Sequence, residues 1–308
     1  MSTQAAPGGQ GWFASLPPNA RGALWMVASA GCYSTMTSLV KYLGEDYPAP
    51  LQIFYRQLAS FLVLLPLILK HRGAIYATTK PWALSGRALS QTVGLILAFY
   101  SFQHMPLADA NALSFTRTLW IVPLAAFVLR EKIGPLRLGA ALVGFCGVMV
   151  MIRPGASGDF AMGWPAVAAL SSAFLLAFTV TGTKFVSRDH SPNTLLVWSV
   201  TLGLFLGLPG AFMTWVWPAP LDLALLFTMG AVATLNQYCF INGMKAGDAA
   251  AMAPIDYLRL VFAAAIGFFV FHEIPSIWTI AGAAIVVAST LFITWRELVA
   301  AKLARAAA

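Results

Sequence analysis

The stretch Leu107–Glu131 reads LADANALSFTRTLWIVPLAAFVLRE. Up to Leu129 it carries only two charges, Asp109 near its start and Arg117 at its middle. A bilayer core takes about 20 consecutive apolar residues as a helix, so this reads as a membrane span with an arginine at its midplane. Glu131 follows Arg117 at the same interval by which Glu273 follows Arg259. The two arginines lie 142 apart in the chain. A residue so costly in lipid, met twice with the same companion, predicts a membrane protein built from two copies of one unit.

Composition agrees. Of 308 residues 59% are hydrophobic and 10% charged, with a mean hydropathy of +0.76. A soluble domain carries about 25% charged residues, so a water-soluble enzyme of this size could not cover its own surface. Disorder needs the opposite balance. The three cysteines, Cys32, Cys146 and Cys239, lie inside apolar runs and read as small hydrophobes. Punctuation by Pro, Gly and charge divides the chain into ten spans, near 22–43, 49–69, 82–103, 107–129, 134–152, 163–186, 193–216, 220–243, 249–271 and 276–295. Residues 1–20 lack a basic start followed by an apolar run, and they read as a short tail rather than a secretory signal.

Lys and Arg collect on the cytoplasmic side of membrane proteins. With both termini inside, fourteen of the 19 fall on inner segments, two (Lys41 and Arg153) on outer ends, and three (Arg56, Arg117 and Arg259) within spans. Nine or eleven spans would scramble that bias. The net charge of +8 is then mostly a topology signal, and a nucleic-acid partner is the poorer explanation. Further pairs keep the offset: Lys41 and Lys184, Pro66 and Pro209, Gly139 and Gly282, Arg153 and Arg296 are each 143 apart, and Glu131 and Glu273 are 142 apart. The repeated unit holds five spans. Five is odd, so the second copy enters the membrane upside down, as in many secondary transporters. The expected layout is a tail (1–20), a first repeat (21–155), a second repeat (160–296) and a C-terminal tail (297–308).

The run Met105-Pro106-Leu107-Ala108-Asp109-Ala110-Asn111-Ala112-Leu113, with Pro123, Leu129-Arg130-Glu131-Lys132, Gly144-Phe145-Cys146-Gly147-Val148 and Arg153-Pro154-Gly155, resembles an EamA domain of the drug/metabolite transporter superfamily. Gly247-Asp248-Ala249-Ala250-Ala251, His272-Glu273 and Gly282-Ala283-Ala284 repeat that pattern loosely. Residues 253–260, APIDYLRL, are similar to the subgroup of S-adenosylmethionine uptake and riboflavin transporters. The resemblance implies a ten-helix bacterial inner-membrane carrier for a small metabolite, such as an amino acid, S-adenosylmethionine or a vitamin-like compound. It implies a cavity between the repeats and leaves substrate and direction open.

Arg56, Arg117, Asp256 and Arg259 lie deep in spans and must face protein or a water-filled cavity. Asn111, Ser114, Arg117 and Thr118 recur at helical spacing as one polar stripe. Asp256 and Arg259, three apart, can pair on one face; Tyr257 lies between them. Pro123 and Pro254 are expected to loosen their helices. Tyr33, Ser34 and Thr35 in span one, Gln91, Tyr100 and Gln103 in span three, and Asn236, Gln237, Tyr238 and Asn242 in span eight are candidates for a cavity lining. Two readings stay open: Arg259 grips substrate or only neutralises Asp256, and Arg117 contacts substrate or is structural. Arg56 follows Tyr55 in span two, which the family resemblance implies is peripheral, and reads as structural. Asp109, Asp248, Glu131 and Glu273 near span ends read as caps and salt bridges, with Asp109, Asp248 and Asp256 candidates for a coupled proton.

No G-x-x-x-x-G-K-[ST] is present, so an ATP-driven pump is not expected. The four histidines are scattered over links, with no H-E-x-x-H and no C-x-x-C, so no metal site, prosthetic group or metal chemistry is expected. The reading is an all-α secondary transporter for a small polar metabolite, anionic or zwitterionic because three buried arginines face one buried aspartate. The partners expected are that solute and the lipid bilayer; coupled protons and plain exchange both stay open. A solute channel or a membrane-embedded enzyme without metal is the alternative.

Overall fold

A computed structural model describes residues 18–70, 74–128, 135–152, 163–186, 189–246 and 255–306. Apart from links and one short 3-10 turn, Ala74–Tyr76, these are α-helical. The helices are α1 (Pro18–Tyr42), α2 (Ala49–Lys70), α3 (Pro81–His104), α4 (Leu107–Ser114), α5 (Thr116–Val128), α6 (Pro135–Ile152), α7 (Gly163–Val186), α8 (Pro192–Met213), α9 (Pro220–Ala246), α10 (Leu258–Phe271) and α11 (Ile277–Ala306). Five of them open on proline, whose missing N–H is no loss in a first helical turn. Ser191 caps α8, its Oγ accepting the Thr194 N–H at 3.2 Å. Four stretches, Ala49–Lys70, Gly163–Thr183, Asn193–Met213 and Pro220–Gly243, are long and apolar enough by themselves to cross a bilayer. The others dilute their apolar runs with Ser, Thr, Gln or Arg, or are shorter. At the C-terminus the helix does not stop near Trp295 as expected. It runs on through the alanine-rich segment to Ala306, as the high helix propensity of alanine favours.

The fourth expected span is not one helix. It breaks at Phe115, between α4 and α5. The Ser114 and Thr116 hydroxyls each bond a carbonyl three residues back, Asn111 O and Leu113 O, both at 2.7 Å. The Phe115 and Thr118 N–H groups likewise tighten to i−3 partners, at 3.2 and 3.1 Å. Hydroxyl competition for the backbone thus turns the helix locally. The ninth expected span is described from Ile255 and breaks at Tyr257 before α10 begins. Phe115 and Tyr257 are 142 apart, the same offset as the two arginines. Pro123 sits inside an unbroken α5, so it is not the breaking residue. Glu131, Arg153, Asp248, Pro254 and the Gly247–Ala251 run lie outside the described residues.

Packing follows the same duplication. Helix α1 packs on α9 and α3 on α7; α3 also packs on α8 and α2 on α9; α4 and α5 pack on α7, and α10 packs on α1. Exchanging the helices of the first five expected spans for those of the last five turns each pairing into its companion. The pairs α2–α8 and α6–α11 map onto themselves. Helices α6 and α11 meet at glycine. A Cβ on Gly147 would come within 2.9 Å of the Gly282 carbonyl oxygen, so the backbones approach as closely as small residues allow. Large apolar side chains point outward, among them Trp82, Phe127, Trp164, Met213 and Trp217. Buried polar side chains such as Ser34, Thr37, Asn111 and Arg259 lie within. That inversion of a soluble protein's surface suits lipid.

Candidate functional site

The two helix breaks meet. The rings of Phe115 and Tyr257 lie 4.6 Å apart, centroid to centroid, tilted by 32°. Each break leads, two residues on, into one of the repeat-related arginines. Arg259, 7% exposed, forms an ion pair with Asp256 at 3.5 Å. Its guanidinium lies 3.9 Å from the Phe115 ring centre and 5.0 Å from that of Tyr33 on α1. Two aromatic faces and one carboxylate therefore hold it in place. The Ser34 hydroxyl donates to the Arg259 carbonyl at 3.3 Å, tying α1 to the same turn. The Tyr257 hydroxyl is hydrogen-bonded to that of Thr290 on α11.

Arg117 differs. It opens α5 and lies within electrostatic range of Arg259, Asp256 and Tyr33. Among the described residues it has no ion-pair or hydrogen-bond partner. Its side chain keeps some free surface despite its depth. A five-donor fork with nothing to hold, beside an aromatic pair and an aspartate, can take a carboxylate or phosphate. Arg56 donates to Gln57 Oε1 at 3.2 Å, its Nε has no partner among the described residues, and it lies within electrostatic range of Tyr33.

The other candidates divide. Asn111 is fully buried, its Nδ2 donating to the Leu107 carbonyl at 2.8 Å while Oδ1 has no partner among the described residues. Ser114 spends its hydroxyl on the break itself. With the helix broken at Phe115, the expected stripe of Asn111, Ser114, Arg117 and Thr118 is split over two helices. Tyr100 stacks on His104 at 4.2 Å and, with Pro48, Gln103 and Trp164, lines a crevice of about 680 Å³. That crevice shares no lining residue with the arginine cluster. Gln237 is exposed on α9. Its neighbour Asn236 is the residue that faces inward, where its Oδ1 accepts the Ser29 hydroxyl at 2.8 Å. Phe115 is not among the sequence candidates, since an apolar residue in an apolar run carries no mark. Only its place one repeat offset before Tyr257 could single it out.

Comparison with known proteins extends this. A model of the EamA-like transporter family matches the chain twice, over residues 20–153 and 163–295. The chain belongs to the EamA-like transporter family. The S-adenosylmethionine uptake transporter of Rickettsia prowazekii is 31% identical over 278 residues, 90% of this chain and 93% of its own. The riboflavin transporter of Rhizobium johnstonii is 28% identical over 90% of this chain and 92% of its own. The pseudopaline exporter of Pseudomonas aeruginosa is 26% identical over 88% and 94%. A solved crystal structure overlays with a TM-score of 0.59 at 18% identity, covering 91% of this chain and 99% of that one, a likeness of fold alone. Like other EamA-like proteins, the chain is an integral membrane transporter for a small molecule and not an enzyme.

Proposed function

We propose that this EamA-like chain is a secondary carrier that moves a small zwitterionic or anionic metabolite bearing a ring across the bacterial inner membrane by alternating access. The carrying observation is the meeting of the two helix breaks. There, among the described residues, Arg117 lacks an ion-pair or hydrogen-bond partner beside the Phe115–Tyr257 ring pair and the Asp256–Arg259 ion pair. Arg117 takes the substrate's carboxylate, Asp256 its cationic part, and the rings of Tyr33, Phe115 and Tyr257 its apolar or aromatic body. S-adenosylmethionine combines all three features. The identity of 31% to an S-adenosylmethionine uptake transporter supports it as the first compound to try. The architecture we infer is ten spans in two inverted five-helix repeats. The repeat offset, the paired breaks and the exchangeable helix pairings support it.

A thermal-shift screen of the purified protein against S-adenosylmethionine, riboflavin and amino acids tests the substrate class. A ligand present at about 100-fold over its Kd stabilises the native state by about 2.7 kcal/mol. S-adenosylmethionine should raise Tm, and the Arg117→Ala variant should not respond. A screen in which riboflavin alone shifts Tm would reassign the substrate. Saturable uptake with counterflow in proteoliposomes is expected of a carrier, whereas linear, non-saturating flux would mean a channel. For orientation, both termini and the link holding Arg72 are taken as cytoplasmic from the Lys/Arg count. A membrane-impermeant thiol reagent applied outside should modify a cysteine placed at Glu45 and not one placed at Arg72. The reverse pattern would invert the topology.

A further inference from the structure

A second polar cluster sits at the end of the bundle that carries the α1–α2 and α10–α11 links. Lys41, in the last turn of α1, forms an ion pair with Glu273 and donates to the Met105 carbonyl at 2.8 Å. Glu273 follows His272, whose left-handed φ of 55° ends α10, and the Glu273 N–H closes on the Gly267 carbonyl at 2.9 Å. The same Glu273 reaches across the halves, its Oε2 accepting the Leu107 N–H at 2.9 Å and so capping α4. Two residues further on, Asp109 is 7% exposed. The Thr279 hydroxyl of α11 lies near its carboxylate, yet among the described residues its buried Oδ1 has no hydrogen-bond partner. Lys41 from α1 and Glu273 from the α10–α11 link are the charged groups that act on it. Helix α3 ends in His104, which is exposed and stacked on Tyr100, and the described side chains of α5, α7 and α10 add no carboxylate or lysine there.

Among the described residues one ammonium serves two carboxylates. A metal cation would need the oxygens that Lys41 already occupies, and it would face the ammonium itself. A proton needs a single free lone pair, and Asp109 Oδ1 is one, shut off from water. We propose that Asp109 is a proton-binding site, and that the proton it takes up is the ion this carrier couples to its solute. The coupling rests on the carrier reading above; the proton binding does not. The link to the substrate is short. Asp109 stands on α4, Glu273 pins the start of α4, and α4 ends at Phe115, two residues before Arg117. Neutralising Asp109 releases Lys41 from one of its two anions, so proton occupancy bears on how firmly the second half holds α4.

Infrared difference spectroscopy, titrated with pH on the purified protein without substrate, reads the site directly. A protonated-carboxyl band should titrate in the wild type, be lost in the isosteric Asp109→Asn, and persist in Asp256→Asn. Thr279→Val should keep the band and shift its midpoint, since a hydroxyl near the carboxylate favours its charged form. This variant carries the test if Asp109→Asn does not fold. A band unchanged in Asp109→Asn, or a midpoint unmoved in Thr279→Val, overturns the assignment. In proteoliposomes probed with S-adenosylmethionine, Asp109→Asn should lose accumulation driven by a pH gradient at least tenfold while retaining exchange. A sodium gradient at equal pH that drives wild-type accumulation would replace the proton by sodium. A titrating Asp109 band in a protein that moves no S-adenosylmethionine would uphold the proton site and leave the substrate reading as what fails.

Discussion

Arg117→Ala should reach the membrane at wild-type levels and fail to transport. Removing a midplane charge eases insertion, which an arginine burdens by at least about 2.5–3.5 kcal/mol. No ion pair is broken, because Arg117 has none among the described residues. Losing a charge-assisted contact to the solute's anionic group should cost about 2–4 kcal/mol, roughly 30- to 900-fold in kcat/KM for transport. Arg117→Lys separates charge from shape: it keeps the cation and loses the planar fork, so a bidentate contact fails in it too. Initial uptake rates in proteoliposomes, at matched protein content, measure both. Near-normal rates for Arg117→Ala would refute its place in the substrate site.

Arg259→Ala has a different signature, with both stability and transport lost. The change strands Asp256 inside the bundle and removes the cation from between Phe115 and Tyr33. Breaking a buried pair from one side costs about 3–5 kcal/mol. The lower end is expected here, because the Asp256 side chain remains 26% exposed. The decisive variant is the double change Asp256→Asn with Arg259→Gln, which leaves no stranded charge. Yield and Tm should recover in it. If the pair is only a lock, transport returns with stability. If Arg259 also holds the solute, the protein folds and stays silent.

Why some of this could be read from the sequence and some not has physical causes. Apolar runs of bilayer length, cut by Pro and by charge, are set by the solvent they meet, so helix boundaries fall within a few residues of expectation over most of the chain. The break at Phe115 is hidden because its agents, the Ser114 and Thr116 hydroxyls, act on the backbone and leave hydropathy unchanged. Asn236 and Gln237 are both expected to line the cavity and only Asn236 faces inward, since adjacent helical residues point about 100° apart and polarity alone cannot choose between them. Lys41 and Glu273 are each visible as repeat markers, but nothing in a linear text joins positions so far apart into one ion pair.

The position that Asp256 holds in the second half belongs to Ser114 in the first, one repeat offset earlier. In a carrier of two inverted halves, the inward-facing form is the outward-facing form with the roles of the halves exchanged. Chemically equal halves would make the empty protein indifferent between the two. One aspartate without a twin removes that degeneracy. It cannot drive net flow, for which only a gradient supplies free energy. In a carrier of that kind it biases which side the empty form faces at rest. The same solute then meets a larger competent population from one side than from the other, and its apparent affinity differs across the membrane by that ratio.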